Sequence, residues 1–172
     1  MRTLFNMDKK DYDDCTHSFV RNSARAIIIR DHKVAMVRSL KYGYYKFPGG
    51  GIHGGEDPVE AMIREAREEA GLNVIRDSIK EYGMVHRIQK SDKDKTEVFI
   101  QDNFYYLCDA EEETVAQELD AYEADEEFTP VTVDPETAIN ANLNVGETPW
   151  DKSMFVREAK VLQLLIEEGA FS

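Results

Sequence analysis

The sequence predicts an α/β fold in which a central mixed sheet lies between layers of helix, and three observations carry that prediction. Strand-like segments come first in the chain, ahead of any helical pattern. The stretch from Asp57 to Ala70 reads as a helix, because Val59, Met62, Ile63, Ala66 and Ala70 recur at the three-and-four spacing that lines one side of a helix. A second stripe of this kind, Phe155, Ala159, Leu162 and Ile166, marks a helix near the C-terminus. Strands with helices able to cover both faces make a layered sandwich.

In chain order, Ala24 to Ile29 and Val34 to Val37 read as strands joined by the turn Asp31-His32-Lys33. Lys46 to Phe47 and Gly51 to Ile52 are short extended pieces around a run of glycines. For the helix that follows, Asp57 is a good N-cap, Pro58 suits the first helical position, and Glu60 sits where a capping box needs it. Gly71 supplies the left-handed residue that ends it. Ile79 to Ile88 and Glu97 to Leu107 are strand-like and flank the charged turn Lys90 to Lys95. Phe128 to Val133 reads as a further strand and leads through Asp134-Pro135 into a short helix, Glu136 to Ala141. Thr148 is placed to cap the last helix and Pro149 to open it.

A chain of 172 residues, 42% hydrophobic and 32% charged, suits one domain over residues 1–172 with a proper core. Lys and Arg number 21 against 34 Asp and Glu, a net charge of −13 that argues against duplex nucleic acid or an anionic membrane as partner. Cys15 and Cys108 fit no pairing motif and read as reduced thiols of a cytoplasmic protein. Met1 to Asp14 lacks the apolar core of a signal peptide, and apolar runs such as Ala26 to Ile29 are far too short to span a membrane. A second copy of the chain, as a homodimer, is an admissible partner.

The chemistry is concentrated on the first helix. Glu65, Glu68 and Glu69 stand at i, i+3 and i+4 and share one arc of its surface. Like charges at this spacing cost stability, so a positive group is expected among them. Carboxylates without His or Cys make a hard oxygen site, suited to Mg²⁺ first and Mn²⁺ next. Magnesium takes few protein ligands and completes its shell with water and phosphate oxygens, which implies a polyphosphate partner. Phe47-Pro48-Gly49-Gly50-Gly51-Ile52-His53-Gly54-Gly55 precedes the helix and reads as a tight backbone path pressed against something. No Lys-Ser/Thr pair follows these glycines, which excludes a Walker loop. Asp57 and Pro58 also make the helix N-terminus a poor anion site, so phosphate would be held through metal on the helix flank.

The ordered cluster Gly50, Glu56, Arg64-Glu65-Ala66-Arg67-Glu68-Glu69-Ala70-Gly71-Leu72, preceded by Phe47-Pro48-Gly49-Gly50, resembles a complete Nudix box of the Nudix hydrolases. The resemblance implies a Nudix-type α/β/α sandwich and hydrolysis of a nucleoside diphosphate derivative by water attack on a phosphorus of its diphosphate. It further implies that Glu65, Glu68 and Glu69 hold metal, that Glu65 polarises the attacking water, and that Gly49 lends its backbone carbonyl to a metal. Arg64 would orient and partly neutralise the acids, and Glu56 would tie the loop to the helix. Arg64, Glu65 and Glu69 are thus the catalytic candidates. Arg67 reads as an i,i+4 surface partner, His53 as a solvent-exposed loop residue, and His17, His32 and His86 have no ligand-like spacing.

Glu111 to Glu127 holds nine acids and no base, which by composition reads as a solvated loop. In Nudix enzymes a loop in this position often brings one more Glu to the metals, and by chain order Glu126 is the first choice and Glu123 the second. Tyr42, Tyr44 and Tyr45 could stack on a base and Lys41, Lys46 or Arg38 meet a phosphate; Tyr44 and Lys46 are carried forward as substrate-binding candidates. The partner expected is a nucleotide-type small molecule: a nucleoside triphosphate, a dinucleoside polyphosphate or a nucleotide sugar. The competing reading is a Nudix-fold module that senses a nucleotide without cleaving it, in which an acid of the box would normally be missing; none is missing here.

Overall fold

A computed structural model describes residues 1–172. Its elements run β1 (Thr3–Asp8), β2 (His17–Val20), β3 (Ser23–Ile27), β4 (Ile29–Arg30), β5 (Lys33–Ser39), β6 (Tyr45–Lys46) and β7 (Gly49–Gly51), then α1 (Pro58–Ala70). β8 (Lys80–Lys90), β9 (Glu97–Leu107), α2 (Ala121–Asp125), β10 (Phe128–Val133), α3 (Pro135–Leu143) and α4 (Ser153–Glu167) complete it. The architecture is the mixed sheet between helices that the sequence predicts.

A six-stranded sheet has the order β1-β8-β9-β3-β7, with β2 also paired to β9, and a four-stranded sheet joins β10-β5-β4 with β6 beside β5. The first sheet is mixed, since β1 runs parallel to β8 and β3 parallel to β9, while β8–β9 and β3–β7 are antiparallel. Strand alternation sends Ala24, Ala26 and Ile28 into one core with Ala61, Met62 and Ala66 of α1. Ile27 enters a second core with Tyr105 and with Val161, Leu162 and Leu165 of α4. The sheet is therefore covered on both sides.

The expected strand Ala24 to Ile29 is split. It leaves the large sheet after Ile27 and re-enters as β4 in the small one, where Ile29 pairs with Val34 and Arg30 with Lys33. The hairpin turn shrinks to Asp31 and His32, both at positive φ (51° and 65°), because the right-handed twist of the strands favours a two-residue turn of that hand. Lys33 belongs to the strand.

α1 begins and ends where its caps predict. Asp57 Oδ1 accepts from the Val59 and Glu60 amides, and Gly71 stands at φ 66°. Glu60 does not close a capping box, because its carboxylate is taken by Arg76. The last helix starts four residues beyond Pro149, at Ser153, whose amide is accepted by Asp151 Oδ1 at 2.9 Å; the Thr148 hydroxyl is turned to the Trp150 carbonyl. β1 and β2 were not expected. Both contain no buried residue, so no alternating pattern announces them.

Candidate functional site

Three short elements and one helix build the site. β6 is anchored by Asn142, whose side chain accepts from the Tyr45 amide and donates to the Tyr45 carbonyl, each at 2.8 Å. β7, the edge strand, lies on β3 so closely that a Cβ at Gly49 would stand 2.3 Å from the Ala24 carbonyl oxygen. A Cβ at Gly50 would stand 2.7 Å from the Glu65 carboxyl carbon. The glycines thus let the loop pass between a strand and a carboxylate.

On α1, Arg64 organises the outer acids. It meets Glu56 through two parallel hydrogen bonds of 2.9 and 3.0 Å, Glu65 Oε1 at 2.9 Å, Glu68 Oε2 at 3.2 Å and the Gly51 carbonyl at 3.3 Å. The guanidinium beside it holds the Glu56 carboxyl down to about 2. Glu56 Oε1 also accepts the His53 amide, so Glu56 ties loop to helix. His53 is exposed, and Arg67 reaches only Glu118, at 3.7 Å on the surface.

Glu69 faces inward and is 1% exposed. Its Oε1 accepts the Gly49 amide at 3.2 Å and its Oε2 the Lys46 ammonium at 2.6 Å. Burial pushes its carboxyl up to about 8, and the neighbouring Glu123 adds to the rise while Lys46 opposes it.

The acid that the structure brings to this helix is Glu123, not Glu126. Oxygens of Glu65, Glu69 and Glu123 lie within 4.8 Å of one another. Glu126 is buried as well, but its Oε1 is taken by the Ser39 hydroxyl at 2.9 Å and the Tyr44 hydroxyl at 2.7 Å, and it is not one of the three. Glu68 stays half-exposed on Arg64 and does not join the three. The reading of Glu111 to Glu127 as a solvated loop holds as far as Asp120, where nearly every residue is exposed, and fails at α2, where Glu123 and Glu126 turn inward; the loop is also pinned to the helix. The Glu118 amide, the Gln117 side-chain amide and the Val115 amide meet the carbonyls of Glu68, Glu69 and Gly71, groups that a helix C-terminus leaves without partners. Asp120-Ala-Tyr-Glu123 has capping-box spacing that could have revealed α2 in the sequence, and Glu123 Oε1 accepts the Asp120 amide at 2.9 Å.

Tyr44 is not a platform for a base. It is 2% exposed, its ring is 4.6 Å from that of Phe155, and its hydroxyl is spent on Glu126. Lys46 likewise points inward, 6% exposed, to Glu69 and to the Gly49 carbonyl at 3.2 Å. Tyr45 is buried, Arg38 lies over its ring, and Tyr42 packs edge-on against Trp150. An open cleft of about 710 Å³ lies elsewhere, beside the helix. Its walls include Arg21, Asn22, His53, Phe104 and Asp120, and of the three clustered acids only Glu65 opens onto it.

Three carboxylates and a backbone carbonyl, with no nitrogen or sulfur donor, fit a hard divalent cation such as Mg²⁺ or Mn²⁺. Burial and Glu123 both disfavour the charged form of Glu69, and a cation beside it favours that form, as Lys46 does. No helix is long and apolar enough to cross a membrane.

Comparison with known proteins bears on family and fold. A family model described as the NUDIX domain matches residues 20–155. An RNA pyrophosphohydrolase of Xylella fastidiosa is 45% identical over 51 residues, 30% of this chain and 27% of that protein. An uncharacterized Nudix hydrolase of Bacillus subtilis, YvcI, is 29% identical over 63 residues, 37% of this chain and 40% of that one. The chain therefore spans only about a quarter to two fifths of the length of these relatives. Among solved structures, a MutT described from Aliivibrio salmonicida and Vibrio cholerae superimposes with a TM-score of 0.54 at 18% identity, covering 87% of this chain and 99% of that one. A NUDIX hydrolase from Nitrosomonas europaea gives 0.55 at 16% identity, covering 83% and 90%. At these identities the likeness is one of fold.

Proposed function

This chain belongs to the Nudix family, and from that premise and the acid cage we propose that it is a divalent-metal-dependent hydrolase of the diphosphate linkage in a nucleoside diphosphate derivative. The observation that carries the reading is the convergence of Glu65, Glu69 and Glu123 within 4.8 Å at the edge of a cleft large enough for a nucleotide. When bound there, Mg²⁺ or Mn²⁺ supplies positive charge to phosphate oxygens and acidifies water at the reaction centre.

The chain's own residues do the rest. Glu65 faces the cleft, where it takes the proton of an attacking water as the new P–O bond forms and the bridging P–O bond breaks, the leaving group departing as a phosphate. Arg64 fixes Glu65 by the 2.9 Å contact and is itself fixed by Glu56, so the reacting carboxylate is positioned before substrate arrives. Phe104 gives the cleft an apolar wall for a base, and Arg21, whose guanidinium lies against Gly51, gives a cation for a phosphate. The Xylella relative is named for pyrophosphate hydrolysis of RNA, which makes a 5′-triphosphorylated RNA one substrate to test beside nucleoside triphosphates, dinucleoside polyphosphates and nucleotide sugars.

The test is release of phosphate or pyrophosphate from that panel with Mg²⁺, run beside Glu69→Gln. Turnover of at least one compound, lost in the variant while nucleotide binding persists, is the expected result. No turnover of any compound by folded, metal-loaded protein would favour a nucleotide-sensing module instead.

A further inference from the structure

The side chain that the function above does not absorb is Lys46. Its ammonium is buried in a place where every neighbour is electron-rich: Glu69 Oε2 at 2.6 Å, the Gly49 carbonyl at 3.2 Å and the face of Phe128, 5.2 Å to the ring centroid. Both oxygens it touches belong to groups that face the cage. The Cα of Lys46 cannot drift, because β6 is paired to β5 at Val37 and the preceding residue is clamped by Asn142. Only the flexible four-carbon stem can relocate the charge.

We infer that Lys46 is the resident cation of the carboxylate cage, holding the Gly49 carbonyl and Glu69 in place until a divalent cation displaces it. This rests on reading Glu65, Glu69 and Glu123 as a metal cage. Two arguments support exchange over coexistence. An ammonium within hydrogen-bond reach of the two inner oxygens occupies the space that an ion sharing those oxygens needs. A divalent ion beside a buried ammonium is also repelled, and burial leaves little water to screen the repulsion. Before exchange, the lysine neutralises one of three crowded acids and joins the glycine strand to the helix, which makes it a positioning residue. On exchange, Nζ leaves the Gly49 carbonyl and the dication takes over both tasks.

The direct test uses the wild-type protein. Nζ lies 5.2 Å over the Phe128 ring centroid, so the Lys46 ε-proton resonances, on the carbon bonded to it, should be shifted upfield in the metal-free protein and should move toward exposed-lysine values as diamagnetic Mg²⁺ is titrated in. Resonances that stay ring-shifted at saturating Mg²⁺ would overturn the inference. A second measurement uses Lys46→Met, which keeps length and removes charge. Because coupling between two ligands is reciprocal, removing the ammonium should tighten Mn²⁺ binding, followed by electron paramagnetic resonance, by about tenfold or more. The metal-free variant should melt below wild type, with the gap closing when Mn²⁺ is added. Equal or weaker Mn²⁺ binding by a folded variant would refute displacement, whereas absence of Mn²⁺ uptake by wild type as well would refute the cage itself.

Discussion

Gly50→Ala separates the role of the glycine strand in folding from its role in chemistry. A Cβ built on Gly50 stands 2.7 Å from the Glu65 carboxyl carbon and 2.8 and 2.9 Å from its two oxygens. Ordinary contact begins at 3.4 Å, so the carboxyl carbon must retreat by at least 3.4 − 2.7 = 0.7 Å. The helix backbone cannot supply that movement, because Ala61, Met62 and Ala66 are wholly buried against the sheet. The Glu65 side chain can, since it borders the cleft. Displacement of a reacting group by about 1 Å costs roughly 100-fold in rate, so turnover should fall by that order. Melting should shift by less than about 3 °C, because what yields is the end of a flexible side chain. Steady-state phosphate release and a thermal melt on one preparation test both halves. Wild-type turnover would show that the position of Glu65 does not govern the reaction, and a collapse of melting temperature would show that β7 has no slack at Gly50.

The neighbouring Gly49→Ala should behave oppositely: its Cβ meets the backbone of Ala24 and Arg25 at 2.3 and 2.7 Å, which cannot step aside, so a loss of about 3 kcal/mol or more is expected in urea unfolding. Glu123→Gln should weaken Mn²⁺ binding and turnover, whereas Glu126→Gln should leave Mn²⁺ binding intact and lower stability by about 1–2 kcal/mol through its Ser39 and Tyr44 contacts; calorimetry on the two variants would contradict the site if the effects were exchanged. For pH, the Glu69 carboxyl stands at about 8 in the fold against 4.5 ordinarily, so between those values the folded state keeps a proton that the unfolded chain has lost. Metal-free stability should therefore decline as pH rises through that window, and Glu69→Gln should flatten the decline; a wild-type slope no steeper than the variant's would reject it.

Much of this was legible from residue order where the determinants are local. Helix α1 and its ends follow from a period and from Asp57, Pro58 and Gly71, all read within a few residues of where they act. The pairing of Arg64 with Glu56 is eight residues long and spans one loop. What escaped depends on distant partners. Lys46 and Glu69 are 23 apart in sequence, and nothing near either says that they meet. Glu123 and Glu126 both turn inward from one short helix and its cap, so chain order delivers the segment but not the direction in which each carboxylate points. The strand break at Ile28 escaped for the same reason. Ile27 and Ile29 are equally apolar, and only the competition between two sheets decides where one strand ends and the other begins.

The same geometry explains how such an acidic face folds at all. Glu56, Glu65, Glu68, Glu69 and Glu123 bring five carboxyl groups together, and two cations answer them: Arg64 on the outer side, touching Glu56, Glu65 and Glu68, and buried Lys46, touching Glu69. Five carboxyl groups against two cations leave acid in excess, and Glu123 is the one that neither cation touches. The bidentate bond to Glu56 commits Arg64 to the outer rim, and the Asn142 clamp on Tyr45 fixes the backbone from which Lys46 reaches Glu69. An outside cation of higher charge is the species that fits the gap between them. The sequence's like-charged helix face is stable enough to fold and still unsatisfied enough to bind.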